Sequence, residues 1–141
     1  GSLQVETFSL SGTLITANKG DVTINAASDV TLTGALKAGE VSSTTLVGNV
    51  SITSANGTVS VPSVTTDGGS VTIEAPVVNI TTGAVLATSP SGLGGAITLR
   101  GSATQGGLVN VPARVDGGSI LIEAYEVTGP GRYTTVRVPS N

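Results

Sequence analysis

Cysteine, methionine, tryptophan and histidine are all absent from this 141-residue chain, and its aromatics are one Phe and two Tyr. Without cysteine there are no disulfides and no thiolate metal sites, while secretion stays open. Without histidine the commonest general base and the histidine-based triads are gone, and zinc sites are nearly excluded. Charge is sparse: six Lys and Arg stand against nine Asp and Glu, a net of −3, with no basic cluster. Nucleic acid is therefore not an expected partner. No run of about 18 apolar residues occurs, so no membrane insertion is expected. No signal peptide is visible. Gly1-Ser2 reads as a tag remnant, and the chain as a fragment of a longer one.

What remains is Gly, Ser, Thr and Val, with 20 Gly. A core short of aromatics must be built from Val, Ile, Leu and Ala, a set that suits narrow, pleated, stacked strands. The length fits one domain, residues 1–141.

The chain repeats itself. "DGGSVTIEA" from Asp67 returns as "DGGSILIEA" from Asp116. The pattern Gly-x-apolar-x-apolar occurs at Gly20, Gly48, Gly69, Gly95 and Gly118, with gaps of 28, 21, 26 and 23 residues. A second short strand follows at Val30, Val59, Val78 and Val109. A less regular third lies near Leu36, Val64, Val85 and Val115. Alternation puts one face in and one out, and the connections hold turn formers. Three short strands per repeat of 20-odd residues predict an all-β, single-stranded right-handed parallel β-helix (a β-solenoid) of about six coils. An antiparallel sandwich also uses short strands, but it needs hairpin turns, and only "ANGT" at Asn56 reads as one. "FSLSGTLITA" before Gly20 reads as a first, partial coil. Proline after Val61, Val111 and Val138 marks strand ends at corners. Residues 125–141 read as a cap or an irregular last coil.

Stacking in register predicts columns. Val22/Ile24, Val50/Ile52, Val71/Ile73, Ile97/Leu99 and Ile120/Ile122 should be buried. A small residue follows each pair, at Ala26, Ser54, Ala75, Gly101 and Ala124, which implies a tight corner. One outward column is Thr23, Ser51, Thr72, Thr98, Leu121. The next is Asn25, Thr53, Glu74, Arg100, Glu123, which predicts a surface ion ladder of Glu74, Arg100 and Glu123. Its contribution is expected to be small, with a role in fixing register.

No catalytic, cofactor-binding or metal-binding residue is expected. Glu74 and Glu123, two coils and so about 9.6 Å apart, fall at the edge of the range for an inverting glycosidase pair, but a surface ladder explains them better. "DGG" at Asp67 and Asp116 lacks the surrounding pattern of a calcium-binding repeat and reads as a turn acceptor. The hydroxyl column is too narrow, and too close to charge, for an ice-binding face. "SGLGGA" (Ser91 to Ala96) and "TQGGL" (Thr104 to Leu108) lack the lysine of a phosphate loop and read as protruding loops.

Strings such as "ANKGDVTINAASDVTLTGAL" and "GGSVTIEAPVVNITTGAVLATSPSGLGGAIT" resemble the repeats of filamentous haemagglutinin-like bacterial exoproteins, many of them two-partner secreted adhesins. The resemblance covers roughly Lys19 to Ala124. The Asn-Pro signatures of that family's secretion domain are missing, so it implies a shaft or distal segment. It further implies an extracellular or cell-surface rod that presents adhesive parts, and no catalytic residue carries over. The expected function is thus a non-enzymatic structural or adhesive segment. Expected partners are a host or neighbouring-cell surface, glycan or protein, or further coils of its own parent chain. Two alternatives stand beside it: a glycan-binding or glycan-cleaving β-helix of the tailspike or lyase kind, and a self-assembling solenoid. The scarcity of aromatics counts against the first.

Overall fold

Val, Ile and Thr at every second position favour extended backbone with one apolar face, and the structure uses them in stacked three-strand turns. It is a computed structural model and describes residues 3–7, 10–12, 15–17, 20–38, 48–66, 68–81, 83–87, 94–112 and 114–129. The first turn holds β1 (Leu3–Thr7), β2 (Leu10–Gly12) and β3 (Ile15–Ala17). The second holds β4 (Val22–Ala26), β5 (Val30–Leu32) and β6 (Leu36–Ala38). The third holds β7 (Val50–Ser54), β8 (Thr58–Val61) and β9 (Val64–Thr66). β10 (Val71–Glu74), β11 (Val77–Ile80) and β12 (Ala84–Ala87) make the fourth. β13 (Ala96–Arg100), β14 (Leu108–Asn110) and β15 (Arg114–Asp116) make the fifth, and β16 (Ser119–Glu123) and β17 (Glu126–Thr128) follow.

Each strand pairs in parallel with the strand three places on. The first sheet runs β1-β4-β7-β10-β13-β16, the second β17-β14-β11-β8-β5-β2, and the third β15-β12-β9-β6-β3. No helix occurs among the described residues. The architecture is an all-β parallel solenoid with three sheets around one interior. The stretch "FSLSGTLITA" gives strands to the second and third sheets, β2 and β3, and Leu3–Thr7 ahead of it adds β1 to the first sheet. Asn56-Gly57 joins β7 to β8, strands of different sheets, and is a corner turn where a hairpin was the alternative. Of residues 125–141, Glu126–Thr128 pair regularly with Leu108–Asn110, and 130–141, with the last Val-Pro motif, lie outside the described residues.

The register is the one that alternation predicts. Val22, Val50, Val71, Ile97 and Ile120 stack in one column, and Ile24, Ile52, Ile73, Leu99 and Ile122 in the next. Nine of these ten are buried, each at 1% exposure or less; Ile120 is the exception, partly buried against the core. Among the described residues it sits in the last strand of its sheet, with a described neighbour on one side. Val30, Val59, Val78 and Val109 supply the second wall, and Leu36, Val64, Val85 and Val115 the third. A buried Val or Ile contributes roughly 1.5–3 kcal/mol, and so regular an interior needs no aromatic side chain.

The two buried polar side chains among the described residues are both satisfied. Ser54 Oγ donates to Ser28 O (2.5 Å) and accepts from Gly57 N (2.9 Å), and Thr66 Oγ1 donates to Gly69 O (2.5 Å). Each therefore closes a corner with no unpaired buried group.

The leading glycines have a steric cause. A Cβ added at Gly69 would lie 1.9 Å from Gly48 O, and one at Gly95 would lie 2.2 Å from Gly69 O. Backbone stacks directly on backbone where each coil enters the first sheet. Gly94 and Gly95 belong to this contact. A Cβ on Gly94 would lie 2.3 Å from Gly118 N, so the backbone at the end of "SGLGGA" runs close against the neighbouring coil, with Gly94 itself exposed. Ser91, Gly92 and Leu93 lie outside the described residues. In "TQGGL", Thr104, Gln105 and Gly106 are exposed and do project, and Gly107 is buried.

Candidate functional site

The outward faces carry three side-chain ladders. At the corner leading into the first sheet, Asn49 N donates to Asp21 Oδ1 (2.8 Å), and Asn49 Oδ1 accepts from Ser70 N (2.8 Å) and Ser70 Oγ (3.1 Å). These residues follow Gly20, Gly48 and Gly69, so the motif's second position ties coil to coil. On the second sheet Asn110 Nδ2 donates to Asn79 Oδ1 (2.7 Å), and Thr128 Oγ1 donates to Asn110 Oδ1 (3.2 Å). The second is neutral, the first carries a single carboxylate, Asp21, and both tie neighbouring coils together.

The third ladder is charged. Glu74, Arg100 and Glu123 occupy one column on neighbouring strands. Arg100 Nη1 meets Glu74 Oε2 at 3.2 Å, and Arg100 Nε meets Glu123 Oε2 at 3.0 Å. Hydrogen bonds to Glu123 first, and then to Glu74, hold the guanidinium above its ordinary value, against a small opposing effect of desolvation. Side-chain exposure is 43% for Arg100, 41% for Glu74 and 17% for Glu123. Water screens such a ladder well, so Arg100→Gln should cost less than about 1 kcal/mol. The loss should shrink further as salt is added. Urea unfolding at low and high salt checks this, and a loss of several kcal/mol that salt does not reduce would show that the ladder holds the fold up.

Glu74 and Arg100 of this ladder line a shallow open groove of roughly 360 Å³ at the corner between the first and second sheets. Three equivalent tripeptides line it: Thr53-Ser54-Ala55, Glu74-Ala75-Pro76 and Arg100-Gly101-Ser102. Its depth comes from the middle position. Ser54, Ala75 and Gly101 must be small because the corner is tight: a Cβ on Gly101 would lie 2.8 Å from Leu108 O and 2.9 Å from Ala124 Cβ. One coil further on, the matching tripeptide is Glu123-Ala124-Tyr125, and Tyr125 N donates to Ser102 O (2.8 Å). Tyr125 is 41% exposed, the one exposed large apolar side chain among the described residues.

The structure thus brings Glu74, Arg100 and Glu123 together and adds a groove and Tyr125, which sequence reading assigned to an irregular tail. The signal was present: continuing the small-residue column to Ala124 puts Tyr125 in the column of Ala55, Pro76 and Ser102. Asp116 pairs with Arg114 on the third sheet (2.6 Å), away from this corner, and Asp67 lies outside the described residues. Among the described residues no group of three or more acidic side chains is placed to hold a metal ion. The chain matches no protein-family model, no curated protein and no solved structure.

Proposed function

We propose that this chain is a six-coil segment of a right-handed parallel β-helix that serves as a non-enzymatic structural and adhesive part of a secreted or surface-attached bacterial exoprotein. The observation that supports it best is the unbroken register from β1 to β16, six strands deep. A solenoid built this way is stiff along its axis and presents long regular faces for contact. Right-handedness follows the strong rule for crossovers between parallel strands. The resemblance of the repeats to filamentous haemagglutinin-like proteins points the same way.

Beads coated with the folded chain test the reading. They should adhere to cells and to surfaces carrying cell-surface glycans, because many weak contacts add up on a bead. The glycan should be recovered at its original length. Beads that adhere to nothing would sink the adhesive reading, and shortened glycan would turn it into a lyase or hydrolase.

A further inference from the structure

We propose that the groove between the first two sheets binds a neutral glycan running along the solenoid axis, with Tyr125, one coil beyond the residues that line the groove, as the platform on which a sugar ring stacks. This rests on the adhesive reading above and names its ligand class and its site.

A sugar ring has an apolar C–H face and a rim of hydroxyls. The groove has the matching division. Its floor is apolar or bare backbone, from Ala55, Ala75, Pro76 and Gly101. Its wall is polar, from Thr53, Glu74 and Arg100. Binding sites of this kind combine apolar contact with a few fixed polar groups that set orientation. Arg100 uses Nε and Nη1 on its two carboxylates. Its Nη2 and the half-exposed Glu74 carboxylate give a donor and an acceptor side by side on the wall. A hydroxyl can use both, since it donates and accepts. The ion ladder also fixes the two long side chains before ligand arrives, which lowers the entropy cost of binding.

Tyr125 supplies what the central coils lack. Its ring is large, half-exposed and held on rigid backbone by the bond to Ser102 O. The distance from the Ser54 coil to the Tyr125 coil is three coil spacings, about 14 Å, which suits a short oligosaccharide.

Charge selects the ligand class. Glu74, Arg100 and Glu123 sum to −1, and Glu126 lies just beyond Tyr125, within a chain of net −3. Sulfated or uronate-rich chains would meet repulsion, and a neutral chain would not.

The test is an amide NMR titration of the whole chain with uncharged hexasaccharides of glucose and of N-acetylglucosamine, with a heparin hexasaccharide beside them. The shallow groove should give a Kd on the order of 0.1–1 mM for a neutral chain, with shifts at Ala55, Ala75, Gly101, Ser102 and Tyr125. Heparin should bind more weakly. Tyr125→Ala should lose about tenfold in affinity, and Tyr125→Phe, which keeps the ring, should stay within about threefold. The proposal is overturned if no neutral chain moves these amides, if heparin binds best, or if Tyr125→Ala binds like the parent. The coated beads separate the two readings. Adhesion that survives both Tyr125→Ala and excess hexasaccharide removes the groove and keeps the adhesive function. Hexasaccharide binding at Tyr125 with beads that never adhere keeps the groove and removes the adhesive function.

Discussion

Gly69→Ala should destabilise the chain by about 3 kcal/mol or more, although it adds a single methyl group to a surface corner. The new Cβ would lie 1.9 Å from Gly48 O and 2.7 Å from Gly48 C. Neither is the flexible end of a side chain, so relief requires two coils to move apart. That movement strains the bonds that hold them: Ser70 N to Asn49 Oδ1, Val50 N to Ser70 O, and the buried Thr66 Oγ1 to Gly69 O. Losing a buried partner costs about 1–3 kcal/mol by itself. The cause is space, which two control substitutions make visible. At Gly12 a Cβ meets only Leu32 Cδ2, at 3.8 Å, so Gly12→Ala should be close to neutral. At Gly106 a Cβ meets nothing within 4 Å, but φ is +94°, so Gly106→Ala should cost about 1–2 kcal/mol from backbone strain alone. Urea midpoints give the ranking. If Gly69→Ala unfolds at the same concentration as Gly12→Ala, the close stacking of the coils at this corner is wrong.

The same corner shows why so much of the fold could be read from sequence. A position where backbone stacks on backbone admits only glycine, so Gly69, Gly95 and Gly118 mark the start of the first-sheet strand in their coils. Alternation after each marker then fixes which side chains face inward, and register follows, because a slip by one residue would turn Ile52 or Ile73 out to water. The ion ladder came from the same logic. What failed to show has physical causes too. The first coil has no leading glycine motif, and its strands could not be told from a fragment. Ile120 follows the alternation but is only partly buried, in the last described strand of its sheet, and alternation alone does not grade burial along a stack. Coil lengths vary because connections vary: eleven residues separate β6 from β7 and eight separate β12 from β13, against four between β9 and β10. The long connections lead from the third sheet to the first, and the run from Gly101 to Gly107 between β13 and β14 is the other long one. Tyr125 escapes sequence reading for a related reason. Periodicity marks the strands, whereas the groove lies at a corner, where a residue's place is set by the column it closes.

Ile73→Ala should cost about 2–5 kcal/mol. Ile73 is fully buried in the fourth of six stacked strands, between Ile52 and Leu99. Its β-carbon sits on backbone held by parallel ladders on both sides, so the walls cannot close on the space that truncation leaves, and the cavity term adds to the lost transfer free energy. Ile120→Ala removes the same atoms from a half-buried site at the edge of the same sheet, and should cost about 1 kcal/mol. The difference tests whether this interior is one continuous column or a row of loosely coupled coils. In a solenoid each coil touches only its neighbours, so the damage should also be local. Amide exchange in Ile73→Ala should speed most in β7, β10 and β13, and least in β1, which lies two strands away from the nearest of these along the sheet. Equal losses for Ile73→Ala and Ile120→Ala, with exchange raised evenly along the chain, would mean that the coils fold as one unit and that central burial carries no special weight. A large loss centred on β10 would mean that the rod's stiffness is made in the middle, where every inward side chain has a neighbour above and below.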